Sequence, residues 1–160
     1  MVPVSSVMNY VRKVKSEIEQ PVTVADNYDW WARFGKALAK EVDFVSVHIY
    51  PVWEGKMIDE GMSFGVANME AVRKALPDAR LAITEAGWAT VASEFGKRAS
   101  EKAQARYYRE MKMWAAKHNI TTFFFEAFDE DWKGDPNNPL GAEKHWGIYG
   151  IDRKPKLGME

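Results

Sequence analysis

The chain of 160 residues is long enough for one domain with a substantial hydrophobic core, and no shift in composition marks a second domain. Its 22 basic and 23 acidic residues give a formal net charge of -1, so neither a nucleic acid nor an anionic membrane is expected as a partner. The sequence has no cysteine, which excludes disulfides, thiol catalysis and thiolate metal sites. We therefore predict a single domain over residues 1–160.

The chain shows no sign of a membrane or export segment. No apolar run is long enough to span a bilayer, and the first residues, 1–5, lack the basic flank and apolar core of a signal peptide. The compartment is left open. The unusual feature is the aromatic content of 13%, with 7 Trp, many of them in polar stretches. Exposed aromatic rings beside acidic residues favour a carbohydrate-binding surface.

Helices and strands alternate along the chain. Apolar residues at helical spacing predict helices, and short β-branched or aromatic runs between them predict strands. The predicted helices cover about 5–20, 31–40, 66–76 and 100–118, and the predicted strands lie at 22–25, 44–50, 81–83 and 121–125. This alternation predicts right-handed crossovers and a parallel sheet in an α/β fold. Four such strands form either a small open sheet or half of an eight-stranded barrel.

The predicted strands all end on polar or aromatic residues. These are Asp26 and Tyr28, His48 and Tyr50, Glu85 and Trp88, and Glu126 and Trp132. The carboxyl ends of parallel strands meet at one edge of the sheet, where loops are free of packing duty. Packing alone does not require this repeated pattern, so it favours a functional site at that edge.

Glu85 is the central residue of this edge. It follows a buried strand and precedes a glycine turn and Trp88. A carboxylate can attack an anomeric carbon while an indole packs on a sugar ring, so the pair suits glycoside chemistry. The alternative interpretation is a glutamate that only caps the following turn. His48 is interpreted as a structural, hydrogen-bonded histidine.

Four stretches of the sequence resemble glycoside hydrolase family 17: VHIYP at 47–51, ITEAGW at 83–88, FFEAFDEDWK at 124–133 and EKHWGIY at 143–149. That family contains β-1,3-glucanases and related glucosyltransferases built on a (β/α)8 barrel. The resemblance implies that this α/β chain is half of such a TIM barrel, with its strands corresponding to the fifth to the eighth.

The resemblance also implies roles for individual residues. It places the nucleophile of a retaining mechanism on Glu85, and Glu130, Lys133 and Glu143 match acidic and basic residues that line the family's site. The positive charge of Lys133 would keep Glu85 ionised. The alternative interpretation is that Lys133 and Glu126 form an ion pair that only tethers a loop. The expected substrate-binding residues are Glu143 and a set of aromatic residues: Tyr50, Trp53, Trp88, Trp132 and Trp146.

One part of the family pattern has no counterpart here. The family's general acid/base lies in an Asn-Glu motif on the fourth strand, and no Asn-Glu dipeptide occurs in this sequence. A retaining glycosidase needs two carboxyl groups about 5 Å apart.

A half barrel would also expose two strand edges, and a homodimer would cover them. In such a dimer Glu126 or Glu130 of one subunit would replace the missing acid opposite Glu85 of the other, and Glu126 is favoured because its strand fixes its direction.

Two functions stay open at this point. The first is a retaining glycoside hydrolase or transglycosylase of carbohydrate metabolism, which acts on β-glucosides or β-1,3-glucans without a cofactor. The second is a half-barrel fragment that binds carbohydrate through its aromatic residues and has little or no catalytic activity, because it lacks the usual acid/base. No grouping of His, Asp and Glu has the spacing of a metal site, so we expect no metal.

Overall fold

The computed structural model describes residues 2–159, so Met1 and Glu160, the ends of the predicted domain, lie outside it. Within the described residues, four α-helices alternate with four strands. In chain order these are α1 (Val4–Glu17), β1 (Ala25–Asn27), α2 (Tyr28–Phe34), β2 (Val45–Ile49), α3 (Ile58–Ala75), β3 (Leu81–Ala86), α4 (Glu101–His118) and β4 (Thr122–Phe124). Short 3-10 helices lie at Leu38–Lys40, Gly96–Arg98 and Ala142–Lys144.

The four strands form one parallel sheet in the order β1-β2-β3-β4. Neighbours in the sheet are therefore neighbours in the chain, as right-handed strand–helix–strand units require. The register pairs Asn27 with His48, His48 with Glu85, and Ala86 with Phe124. The carboxyl ends of the strands are thus level with each other. The predicted α/β fold with a four-stranded parallel sheet is confirmed, and it is consistent with part of a TIM barrel.

One face of the sheet is covered by helices. Val45, Val47 and Ile83 point to this face and are completely buried, together with helix residues that include Met69, Val72, Tyr107 and Met111. Successive side chains of a strand point to opposite faces. Phe124 packs on Tyr107 and Tyr108, whereas its neighbour Phe123 points the other way and is 60% exposed. The second face of the sheet is therefore partly open at β4.

The first predicted strand and the second predicted helix are shifted in the structure. The strand predicted at 22–25 forms only from Ala25 onward, because Val22 forms hydrogen bonds with Asp43 instead. The Val22 carbonyl accepts from the Asp43 N–H, and the Val22 N–H donates to the Asp43 carboxylate. Helix α2 begins three residues before Trp31, where the Asn27 side chain accepts from the Trp30 N–H at 2.8 Å. It ends at Phe34 rather than continuing to residue 40.

Helix α3 begins eight residues before the predicted start at Val66. The carboxylate of Glu60 caps its first turn by accepting from the Met57 N–H. Two glycines, Gly61 and Gly65, interrupt the apolar pattern there, which is why the periodicity did not reveal this part of the helix. A Cβ on Gly61 would come within 3.0 Å of the Trp88 ring. The glycine therefore makes room for an indole against the helix.

Helix α4 has both predicted ends. Ser100 accepts from the Ala103 N–H at 3.1 Å, and Asn119 ends the helix in the left-handed conformation with φ of 52°. Across the residues that the structure describes, no helix combines the length and the apolar character needed to cross a membrane.

Candidate active site

Glu85 lies at the carboxyl end of β3, and two neighbouring side chains hold it. The Tyr50 hydroxyl donates a hydrogen bond of 2.6 Å to Glu85 Oε2. His48 Nδ1 lies 3.2 Å from the same oxygen. Burial raises the pKa of the Tyr50 hydroxyl, and the hydrogen bond to Glu85 raises it further. Tyr50 therefore stays protonated and acts as a hydrogen-bond donor to the Glu85 side chain.

A second group of charged residues follows β4, in residues 126–133, which we call the acidic loop. Lys133 Nζ lies 2.5 Å from Glu126 Oε2 and 2.7 Å from Glu130 Oε2. Burial raises the pKa of Glu126, although the hydrogen bond from Lys133 opposes this. Burial alone would lower the pKa of Lys133, but its hydrogen bonds to the two carboxylates outweigh that effect and raise it. Lys133 is thus a fixed cation.

These contacts show that Lys133 forms the ion pair with Glu126, the second of the two interpretations of this lysine. Its ion pairs are with Glu126 and Glu130, whereas Glu85 is held by Tyr50 and His48. The lysine lies seven residues after Glu126 and returns to it because the loop between them folds back. Glu85 is therefore positioned by Tyr50 and His48 rather than by a direct lysine contact.

The two groups meet where the ends of β3 and β4 touch. The Phe125 N–H donates to the Ala86 carbonyl at 2.7 Å, and the Phe125 ring packs edge-on against Tyr50 with centroids 6.0 Å apart. A Cβ on Gly87 would collide with the Phe125 carbonyl oxygen, so only glycine permits this approach. The negative charges of Glu85, Glu143 and Glu126 each raise the pKa of Tyr50. The structure thus gathers these three predicted carboxylates around one tyrosine.

The predicted aromatic residues separate into exposed and buried sets. Trp132 is 73% exposed and Trp53 is 49% exposed, so each offers a ring face to a ligand. Trp88 and Trp146 are 0% and 1% exposed, so neither of these expected sugar-binding residues presents a ring face at the surface of this structure. The Trp88 indole donates to the Arg98 carbonyl and fills the core, whereas Trp146 packs edge-on against Tyr50.

A family model identifies the protein family to which the chain belongs. The family model for the BtgE/BtgC glycoside hydrolase domain matches residues 1–147, which include Glu85, the acidic loop and Glu143. The chain belongs to this family. Its membership confirms the resemblance to glycoside hydrolase family 17, because solved structures of that family also match the chain.

Two curated relatives and one solved enzyme illustrate the relationship. The BtgE/BtgC-type chain is 28% identical over 170 residues to a glucan 1,3-beta-glucosidase of Arthroderma benhamiae, covering 94% of this chain and 54% of that protein. It is 30% identical over 153 residues to the glucan 1,3-beta-glucosidase of Schizosaccharomyces pombe, covering 91% of this chain and 47% of the relative. The chain therefore spans about half the length of the curated relatives it matches.

The solved enzyme is a glycoside hydrolase family 17 beta-1,3-glucanosyltransferase from Rhizomucor miehei. It superimposes with a TM-score of 0.86 at 29% identity, covering 98% of this chain and 57% of that one. An active-site mutant of the same enzyme in complex with laminaritriose gives a TM-score of 0.85 at 28% identity. The sheet and helices of the BtgE/BtgC-type chain thus correspond to just over half of that fold.

Sequence reasoning placed His48 at this edge of the BtgE/BtgC-type site but did not predict its contact with Glu85. His48 was interpreted as structural, yet it contacts the same Glu85 oxygen as Tyr50. The signal was present, because His48 and Tyr50 are two residues apart on one strand and so share a face. Over residues 2–159, no cluster of three or more His, Cys, Asp or Glu residues could hold a metal ion.

Proposed function

We propose that this protein is a retaining glycoside hydrolase or transglycosylase that acts on β-1,3-glucans or β-glucosides, with Glu85 as its nucleophile. The observation that carries the proposal is the Glu85 carboxylate at the end of β3, held on Oε2 by Tyr50 at 2.6 Å and His48 at 3.2 Å. Family membership and the similarity to a beta-1,3-glucanosyltransferase solved with laminaritriose support the choice of substrate.

In the proposed reaction, Glu85 attacks the anomeric carbon through Oε1, while Tyr50 and His48 hold Oε2. The new bond from carboxylate to carbon forms as the glycosidic bond breaks, and an acid protonates the departing oxygen. Water or a sugar hydroxyl then attacks the glycosyl-enzyme, and the same acid, now a base, removes its proton. Hydrolysis results in the first case and transglycosylation in the second.

The proton donor that we propose is Glu126, with Glu130 as the alternative. Burial raises the pKa of Glu126, and its Oε1 is buried without a hydrogen-bond partner among the described residues. Both features favour a carboxyl group that holds a proton. Lys133 fixes the opposite oxygen, Oε2, and so orients the group.

We further propose that residues 1–160 are one half-barrel domain, equivalent to strands five to eight, and that a second copy completes the barrel. Within the described residues, β1 and β4 each pair with a strand on one side only. Unpaired edges promote association, and the exposed Phe123 ring gives a partner apolar surface on the open face of the sheet. In this dimer, β4 of one copy lies beside β1 of the other and brings Glu126 to the partner's site.

A second candidate is a half-barrel domain that binds β-glucan without turning it over. The observation in its favour is that Lys133 already pairs with Oε2 of both Glu126 and Glu130, so neither of these oxygens can act on a substrate unless binding or association breaks the pair. The exposed Trp53 and Trp132 would then provide the binding surface.

One experiment separates these functions. The mass of the protein in solution and its hydrolysis of an aryl β-glucoside and of laminaritriose are measured on the same fraction, and laminaritriose binding is measured by calorimetry. Glu85→Ala should abolish hydrolysis and keep binding, whereas the exposed control Glu70→Gln should change neither. A dimer with activity lost in Glu85→Ala supports the enzyme. Binding without hydrolysis in the unmodified protein overturns it in favour of the second candidate, and a monomer with activity overturns the dimer.

A further inference from the structure

Lys156 makes a buried ion pair that joins two loops at the edge of the site. Its Nζ lies 2.8 Å from Asp129 Oδ1, and the two side chains are only 12% and 13% exposed. The same Nζ donates to Thr90 Oγ1 at 2.9 Å. Thr90 belongs to the loop after β3, and Asp129 belongs to the acidic loop after β4. A single ammonium group therefore bridges the loops that follow the two strands of the site.

The backbone around Lys156 binds the same loop. Residues 148–157 form a strap along the start of the acidic loop, in which the Ile148 N–H donates to the Glu126 carbonyl and the Tyr149 N–H donates to the Ala127 carbonyl, both at 2.9 Å. The strap then turns back, so that the Lys156 N–H donates to the Ile148 carbonyl at 3.0 Å. The strap thus holds the first residues of the acidic loop through its backbone and places Lys156 beside the same loop.

Asp129 is the point on which these contacts converge. Its Oδ1 accepts from Lys156 Nζ and also from the Gly147 N–H at 3.0 Å. Asp129 lies three residues after Glu126 and directly before Glu130. A nearly buried carboxylate is held in place by a compensating charge. Without Lys156, the Asp129 carboxylate would keep, among the described residues, only the Gly147 N–H and His145 Nδ1, which lies 3.9 Å from Oδ2, so its hold on the loop would weaken. Movement of Asp129 would carry Glu126 and Glu130 with it.

We propose that Lys156 is a positioning residue, which fixes the acidic loop against the end of β3 of the same chain and so sets the position in which that loop presents Glu126 and Lys133. This inference rests on the proposed function, because it assigns Lys156 to the geometry of that site. Lys156 also lies beyond residues 1–147, the part of the chain that the family model matches. The functional unit therefore extends through the strap.

The neighbouring Lys154 provides a matched control. It pairs with Asp152 at 2.7 Å, but the two side chains are 81% and 52% exposed, so water screens the pair. Lys156→Met and Lys154→Met remove the same charge from the same strap, and only the first breaks the bridge to Asp129 and Thr90. Lys156→Arg keeps the charge. Val72→Ala, in the helix-covered core, lowers stability without touching either loop.

Two independent measurements test the inference on the full chain. Amide hydrogen exchange of residues 126–133 should accelerate at least about tenfold in Lys156→Met and stay unchanged in Lys154→Met and Val72→Ala. With an aryl β-glucoside, kcat of Lys156→Met should fall about tenfold with little change in KM, because a misplaced proton donor slows the transition state more than it weakens binding. Lys156→Arg should recover part of kcat.

The outcomes distinguish failure of this inference from failure of the proposed function. Unchanged exchange at 126–133 in Lys156→Met overturns the positioning role, whatever the activity. Equal loss of kcat in Val72→Ala also overturns it, because stability alone would then explain the effect. If the unmodified protein hydrolyses no glycoside while Lys156→Met still loosens the loop, the assignment to catalysis fails together with the proposed function.

Discussion

The ends of β3 and β4 present carboxylates in opposite surroundings. Glu85 at β3 accepts from Tyr50 and contacts His48, whereas Glu126 at β4 is paired with Lys133 in a setting where burial raises its pKa. The first setting fixes one oxygen of the carboxylate that we propose as the nucleophile, and the second favours a carboxyl group that retains a proton. These surroundings match the two different roles that we propose for the two strand ends in one reaction.

The tryptophans that follow the two strands also differ in their exposure to solvent. Trp88 follows β3 and is completely buried, whereas Trp132 follows β4 and is 73% exposed. The β3 end is therefore a rigid support for Glu85, while the β4 end combines charge with an exposed ring. Substitutions at the end of β3 and at the end of β4 should therefore have different effects on activity, binding and stability.

The largest effect is expected from Glu85→Gln, which keeps the size of the side chain but removes the nucleophile. Hydrolysis of an aryl β-glucoside should fall on the order of 10³-fold or more, because no other group then forms the covalent intermediate. The measurement is kcat/KM beside Glu70→Gln as a surface control. Activity within tenfold of the unmodified protein would remove Glu85 from its proposed role.

Glu126→Gln should give the next largest effect and change the pH dependence. An acid must be protonated, so activity should fall as pH rises through the raised pKa of Glu126, and this fall should disappear in the variant. With a poor leaving group the loss should be about 100-fold, and with 2,4-dinitrophenolate, which needs no proton, it should be much smaller. Glu130→Gln serves as the comparison, because it pairs with the same lysine. If neither variant loses activity, both are excluded as the proton donor.

Tyr50→Phe removes the hydrogen bond to Glu85 and leaves the ring in place. We expect kcat to fall about tenfold, since a charge-assisted hydrogen bond that orients the attacking group is lost. Laminaritriose binding, measured by calorimetry, should change by less. A loss confined to binding would show that Tyr50 contacts the substrate rather than positioning Glu85.

The two tryptophans should separate stability from binding. Trp88→Ala should lower the free energy of unfolding by about 3–5 kcal/mol, because it opens a large cavity beside Gly61. Trp132→Ala should change that free energy by less than about 0.5 kcal/mol and weaken laminaritriose binding several-fold. Denaturant unfolding and calorimetry measure the two effects. The assignment of Trp88 to stability and of Trp132 to binding would be reversed if a stably folded Trp88→Ala bound laminaritriose more weakly while Trp132→Ala bound it normally.

Local sequence signals predicted the fold well where they were unambiguous. Ser100 and Asn119 marked both ends of α4, and the strand–helix alternation predicted the parallel sheet. The start of α3 was missed because Gly61 and Gly65 lack apolar side chains, although they are the residues that admit a neighbouring ring. Hydrophobic periodicity shows which residues are apolar. It does not show which residues must be small so that a neighbouring side chain can pack against them.

The site was predictable in its residues and less so in its contacts. Glu85 and Tyr50 were placed together correctly because both lie at strand ends, which topology brings together. The ion pair of Lys133 with Glu126 was one of two interpretations, and the sequence could not decide between them. That pair and the burial of Trp146 depend on how loops fold back, and loop residues carry no periodic signal. Lys156 was invisible for the same reason, since its partners Thr90 and Asp129 are 66 and 27 residues away.

The most direct test of the account is to trap the covalent intermediate. The protein is incubated with 2,4-dinitrophenyl 2-deoxy-2-fluoro-β-glucoside, whose fluorine slows release of the sugar, and the labelled peptide is identified by mass spectrometry. We predict a glycosyl group on the peptide that contains Glu85, and no label in Glu85→Gln. A label on Glu126 or Glu130, or the absence of any label on the unmodified protein, would contradict the account.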